Sequence, residues 1–275
     1  MIVQSAAEGQ PHLVITMDQH TALAASFAKH FGNQRFERVE PFDLMLYIIG
    51  HHDAGWKDLD QQALRDPSTG LPYNLVQTPF EHIVATSSAS PDFNSLHHPY
   101  CGLISSMHSW GLYNGRYGMS DKVLLDSLAD ENRTIADNML NAEMTRQDQL
   151  KSELAEDPET KSWIEHAHLF QNYKQLQFFD TLALYFNCTH MRDREAATFS
   201  HVPISADEDV DVRVEPLDGD RYLLDPFPFD TDELALKFSG RYLSPIGAGT
   251  SVASSLDGVE TTTERFIIVA PAATH

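Results

Sequence analysis

Asp180 is the residue that most limits what this chain can become. It sits in "NYKQLQFFDTLALYFNC", which reads as a single helix, with Tyr173 seven residues before it, Leu176 four before and Leu184 four after. Residues three or four apart share a helix face, so the carboxylate lies on the apolar stripe. A buried carboxylate loses its hydration and is tolerated only beside a cation or within a dense hydrogen-bond set. The fold must therefore bring a positive partner, or a metal, to the middle of this helix.

Other segments aim polar groups the same way. The apolar run "LMLYII" leads straight into "GHHDAGW"; His52 follows Ile48 by four and Asp53 follows Ile49 by four. His20 precedes Leu23, Ala24 and Phe27 on its own predicted helix. His82 lies beside Phe80 and Ile83 in a first turn, and His108 follows Ile104 by four. A lone inward histidine is ordinarily a hydrogen-bonded core residue, and with 14 histidines some fall on apolar faces by chance. Six metal-competent side chains on five predicted helices ask for a common explanation. Four imidazoles and two carboxylates without a thiolate form a nitrogen/oxygen set suited to Fe or Mn, with Co, Ni or Zn also competent, rather than to Ca or Mg.

Softer candidates surround this set. His51 adjoins a ligand and reads as an orienting group or proton shuttle, or else as a helix-end hydrogen bond. Tyr113 and Arg116, in "GLYNGRYG", suit an anionic substrate group; the alternative is a structured turn with Arg116 paired to a carboxylate. Trp56 and Lys57 follow the His-Asp pair and are placed at an entrance. His98, next to His97, is within reach of a metal or a phosphate by sequence position.

Periodicity gives the frame. "PHLVITMD" predicts a strand and "MDQHTALAASFAKHFGN" a helix, capped by Asp18 and stopped at Gly32-Asn33. Pro41 opens the next helix, Thr78 to Glu81 reads as a capping box ahead of "EHIVATSSAS", and Pro99 opens "PYCGLISSMHSWGLY". Two polar helices are expected over 120–156, and a last one from Asp157-Pro158 onward. From Val202 alternation takes over in "DVDVRVEPLDGDRYLLDPFPF", with Asp-Gly as a hairpin signal. "LALKFSGRYL" and "RFIIVAP" read as further strands, and "SPIGAGTSVASSLDGVE" as a flexible loop. The expectation is a mainly α protein. A helical metal-binding body spans 1–200 and a small β appendage spans 201–275, with the N-terminal strand as a potential addition to it.

Forty acidic against 19 basic residues give a formal charge of −21, which repels phosphate backbones and anionic membranes. No apolar run is long enough to cross a bilayer, no secretory signal is visible, and two cysteines make no disulfide framework. The expected address is the cytosol. The expected partner is a small, anionic substrate, with homo-oligomerisation left open.

The order His … His-Asp … His … His … Asp on successive helices resembles the HD-domain superfamily, an all-helical fold of metal-dependent phosphohydrolases and some oxygenases. The resemblance covers roughly residues 12–190. It implies that His20, His52, Asp53 and Asp180 hold one divalent ion and that His82 and His108 hold a second, with Asp53 bridging. It further implies hydrolysis of a small phosphate ester at a dinuclear centre. A di-iron oxygenase of the myo-inositol oxygenase type is the alternative, and a non-catalytic HD-like ligand-binding or sensor module is a third. "HHDAGW", "SMHSWGLYNGRYG" and "NYKQLQFFDTLALYF" look more closely like a bacterial HD-related family of unknown function, and that likeness extends through "LDPFPF".

Overall fold

The computed structural model describes residues 1–272. One seven-stranded sheet organises it, in the order β1-β2-β6-β7-β5-β4-β3, antiparallel throughout except for the β5–β7 pair. Its strands come from both ends of the chain: β1 (Ile2–Val3) and β2 (His12–Ile15), then β3 (Ala197–Pro203), β4 (Asp209–Pro216), β5 (Arg221–Asp225), β6 (Glu233–Leu243) and β7 (Thr261–Val269). Between them run α1 (Met17–His30), α2 (Phe42–His51), α3 (Lys57–Gln62), α4 (Phe80–His97), α5 (Pro99–Tyr113), the short turn α6 (Gly115–Gly118), α7 (Asp130–Glu156) and α8 (His166–Cys188); α9 (Val252–Asp257) joins β6 to β7.

This corrects the expected mainly α architecture with a small β appendage. The strands alternate as the sequence indicates, with Val212 and Val214, Tyr222 and Leu224, and Phe266 and Ile268 buried at every second position. What alternation does not carry is pairing. The β2 register sets His12 opposite Leu243, a contact between the two ends of the chain with no local signature. The sheet is also no satellite, because α1 and α8 share their core with it. Phe186 of α8 stacks on Phe266 at 3.8 Å, and Phe27 of α1 lies 6.1 Å from Phe229 and 6.4 Å from Phe266. Buried Arg194, just after α8, bonds the Phe186 carbonyl and the Tyr222 hydroxyl (both 2.7 Å) and pairs with Glu264 (2.5 Å).

Local starts and stops differ from expectation in instructive ways. Thr16, not Asp18, caps α1, with its hydroxyl accepting from Gln19 N; Asp18 lies in the first turn, where it favours the helix dipole. Thr78 does not cap α4, since its hydroxyl donates to the Asn74 carbonyl. The segment 120–156 holds one α-helix of 27 residues, preceded by a short 3₁₀ turn at Leu124–Ser127, rather than two α-helices, and α8 begins only at His166. The predicted flexible loop after β6 contains α9.

α4 continues through Pro91, which has no N–H to give the Ser87 carbonyl four residues earlier. The hydroxyl of Ser109 on α5 donates to that carbonyl instead, at 2.8 Å. The proline thus converts a broken helix bond into an α4–α5 tie. Among the described residues, no helix is long and apolar enough to cross a membrane.

A shared core predicts shared unfolding. Phe266→Ala should cost about 3–5 kcal/mol, and near- and far-ultraviolet circular dichroism should report a single coincident thermal transition. Two separated transitions would show that the sheet folds independently of the helices.

Candidate metal centre

Four elements converge behind the sheet. His20 comes from α1, His52 and Asp53 from the end of α2, His108 from α5 and Asp180 from α8. Ligand-capable atoms of His20, His52 and Asp53 lie within 4.8 Å of one another, as do those of His52, His108 and Asp180. Asp180 Oδ1 is 3.1 Å from His20 Nε2 and 3.6 Å from His52 Nε2; Asp53 Oδ2 is also 3.6 Å from His52 Nε2. The three imidazoles and Asp180 are buried, and Asp53 is half-buried.

The second nitrogens explain the orientation of the rings. His52 Nδ1–H donates to the Ile49 carbonyl at 2.8 Å, and His20 Nδ1–H donates to Asn187 Oδ1 at 3.0 Å. Fixing the proton on Nδ1 turns the Nε2 lone pair inward, the arrangement that ligating histidines adopt. His108 Nδ1 meets the Gln177 carboxamide at 2.7 Å, with Gln177 Oε1 buried and unpartnered. Turning that amide end for end lets Oε1 accept from Nδ1–H, which satisfies Oε1 and frees the His108 Nε2 lone pair. His52 Nε2 is itself buried without a hydrogen-bond partner, facing two carboxylates. A neutral His52 would there oppose its lone pair to two anions. The group needs a proton or a metal.

The electrostatics point the same way. Burial opposes charge on His52, yet Asp53 and Asp180 outweigh it and push the imidazole up to about 9. Burial would raise the Asp180 carboxyl, but the close contact with His20 and the charge of His52 hold it well below the usual range. Burial lifts Asp53, and burial together with the His52 charge drives His108 down to about 3. One positive charge is therefore concentrated in the cluster, on the atom a metal would take. The donor set fits a divalent transition ion: borderline imidazoles and hard carboxylates, with a supported outer shell.

The remaining candidates divide. His82 is not among the converging groups, because the inward face of α4 runs through Ile83, Ser87 and Ser90 and His82 lies one residue off it. His51 is not among the converging groups or the cavity lining; its Nδ1–H donates to the Tyr47 carbonyl at 2.7 Å and its ring stacks on Tyr47, the geometry of the helix-end bond. His98 caps α5 by accepting from Tyr100 N. Lys57 borders a different cleft, beside Asp60 and Arg241. Trp56, Tyr113 and Arg116 do line the cavity of about 830 Å³ that opens onto His20, Asp53, His108 and Asp180.

Two features of this cavity escape sequence reading. Gly55 packs its Cα against α4 so closely that a Cβ would stand 2.4 Å from the Thr86 carbonyl oxygen; this seats the loop after the His-Asp pair. In α6, Gly115, Arg116, Tyr117 and Gly118 have φ of +58, +52, +57 and +88. A left-handed turn costs about 1–2 kcal/mol at each non-glycine residue. Tyr117 holds it in place by packing on Trp110, Phe170 and Tyr173. Gly-x-x-Gly around an Arg-Tyr pair is the signal that was available.

A family model described as a protein of unknown function (DUF3891) matches residues 1–245. No curated protein and no solved structure matches the chain.

In chelator-treated protein, stability should fall as pH rises from 6.5 to 9. His52 has a folded value of about 9 against 6.5 unfolded, so its contribution is complete below 6.5 and lost through 9. His108, depressed, costs stability only below 6.5 and does not touch this window. Melting temperature against pH checks this; a decline that persists unchanged in His52→Gln would assign it elsewhere.

Proposed function

We propose that this chain, which belongs to the DUF3891 family, is a metal-dependent hydrolase acting on a small phosphate ester. The observation that carries the reading is His52 Nε2, buried, unpartnered and set between two carboxylates with its ring fixed through Nδ1. A neutral histidine has no reason to be oriented that way, and a metal would take the place of the proton that the two carboxylates otherwise demand. His20, His52, His108, Asp180 and Asp53 would hold the ion, in keeping with the HD-domain likeness of the His … His-Asp … Asp order. A bound divalent transition ion supplies Lewis acidity and brings the pKa of a coordinated water from 15.7 to about 7.

The protein's own part is placement. Asn187, the Ile49 carbonyl and Gln177 fix three imidazoles, which leaves the ion little freedom of position. Half-buried Asp53 borders the cavity, so its carboxylate is the one best placed to accept a proton from an incoming nucleophile. Arg116, in the same cavity, would hold the anionic end of a substrate. The resemblance implied two metals; with His82 off the site, the second loses one of its two implied histidines, which favours one ion. That weighs against a di-iron oxygenase, which needs both.

Elemental analysis of protein purified without an affinity metal column should find about one transition ion per chain. His108→Ala and Asp180→Ala should lose it, whereas His82→Ala should keep it. A phosphate-ester screen should find turnover that falls at least a hundredfold in Asp180→Ala. A metal-free protein whose fold and stability ignore added Mn, Fe, Co or Zn would leave a polar network and no enzyme; two irons per chain with oxygen uptake would move the reading to an oxygenase.

A further inference from the structure

The cavity itself carries information about the substrate that the ligand set does not. Its walls are formed by Trp56, Ile83, Leu112, Val123 and Leu184, and Val76 and Leu124, both substantially exposed, stand at its mouth. The serine hydroxyls within it are engaged with backbone, and the Tyr113 hydroxyl meets that of Ser87 at 3.3 Å. Ser109 donates to the Ser87 carbonyl, Ser87 to the Ile83 carbonyl, and Ser90 Oγ accepts from Gly55 N. A sugar or other polyol would find few groups to read it and would lose water against apolar walls.

Charge in the cavity is divided by depth. Asp121, Lys122 and Asp126 are exposed, and Asp126 has Arg133 4.0 Å away. Half-buried Arg116 makes no ion pair among the described residues. The chain has 40 acidic side chains available to neutralise it, yet it is presented on a left-handed turn and left unpaired beside the cluster. Backbone strain at a functional group persists where the position serves a ligand. At about 830 Å³ the space lies towards the upper end for drug-sized ligands, so a bare phosphate or a three-carbon ester would leave most of the walls wet.

We infer that the substrate is a phosphate monoester with an apolar body, aryl or alkyl, its body against the Leu112–Val123 wall and its phosphate between Arg116 and the metal-binding cluster. This rests on the hydrolase reading for the phosphate and on the cavity alone for the apolar body. A structural role for Arg116 predicts the opposite stability response from a ligand role. Arg116→Gly relieves the left-handed strain and should raise Tm by about 2 °C or more, while removing the anion anchor.

The test is calorimetric titration at 0.15 M salt of the metal-reconstituted and the chelated protein. The probes are phenylphosphonate and hexylphosphonate, which resist hydrolysis, with glycerol phosphate and inorganic phosphate alongside. The phosphonates should bind at least tenfold tighter than glycerol phosphate, with a negative heat-capacity change. Arg116→Gly should weaken them at least tenfold, and Leu112→Asn should bring the phosphonate-to-glycerol phosphate ratio down towards unity. Equal or tighter binding of glycerol phosphate, or unchanged phosphonate affinity in Arg116→Gly, would overturn the inference. The hydrolase reading fails separately, on metal content and turnover. The phosphonate preference, set by the walls, should survive chelation either way.

Discussion

The contact between His20 and Asp180 joins residues 160 apart, and much of the molecule follows from it. It docks α1 on α8. Because β2 ends one residue before the cap of α1, that docking delivers the N-terminal strands to the edge of β6, where Val14 pairs with Arg241. α8 leads on to β3, so the sheet begins and ends at the two helices that make this contact. The buried carboxylate is costly alone. It is retained here because three other elements supply it with partners, and those contacts tie α1, α2 and α5 to α8. Removing the charge would take away the reason for three imidazoles to meet.

Much of the centre was legible because helical periodicity and burial are local properties. His20, His52, His108 and Asp180 sit on stripes whose Leu, Ile and Phe neighbours fix the inward direction. His82 was placed by its apolar neighbours Phe80 and Ile83, but adjacent helix positions point about 100° apart, so a residue beside the inward face need not lie on it. With Pro79 at the cap and no side-chain bond, the inward face passes instead through Ile83, Ser87 and Ser90. Thr16 outcompeted Asp18 at α1: both are cap types, and only the backbone decides which lies at the boundary.

The sheet shows the complementary limit. Strands β4 to β7 announced themselves by alternation, but an appendage and a seven-stranded sheet differ in pairing, and pairing between residues 12 and 243 leaves no trace in either segment. The two-residue β1 is too short to alternate at all, and β3 is interrupted by a register shift between Phe199 and Val202 that breaks its pattern. Helix α9 was hidden by composition, since Ser- and Gly-rich stretches read as loops even where Ser251 caps a turn. Where tertiary context decided the outcome, the sequence signal was present but could be read in more than one way.

Surface and cavity appear at odds over charge. A net −21 repels anions at distance, yet the proposed substrate is one. The Debye length of about 8 Å at physiological salt reconciles them. A polyanion such as nucleic acid must approach many surface carboxylates within that length and is repelled by all of them. A small monoester would meet mainly the groups at the mouth, and once inside it would be nearer to Arg116 and the His/Asp cluster than to the general surface. Apolar walls lower the local dielectric and would strengthen that short-range attraction, so on the proposed reading the acidic exterior would filter by size and charge number while the interior would select the group to be bound. The strained presentation of Arg116 fits this division, because a flexible surface arginine among so many carboxylates would be neutralised before any ligand reached it.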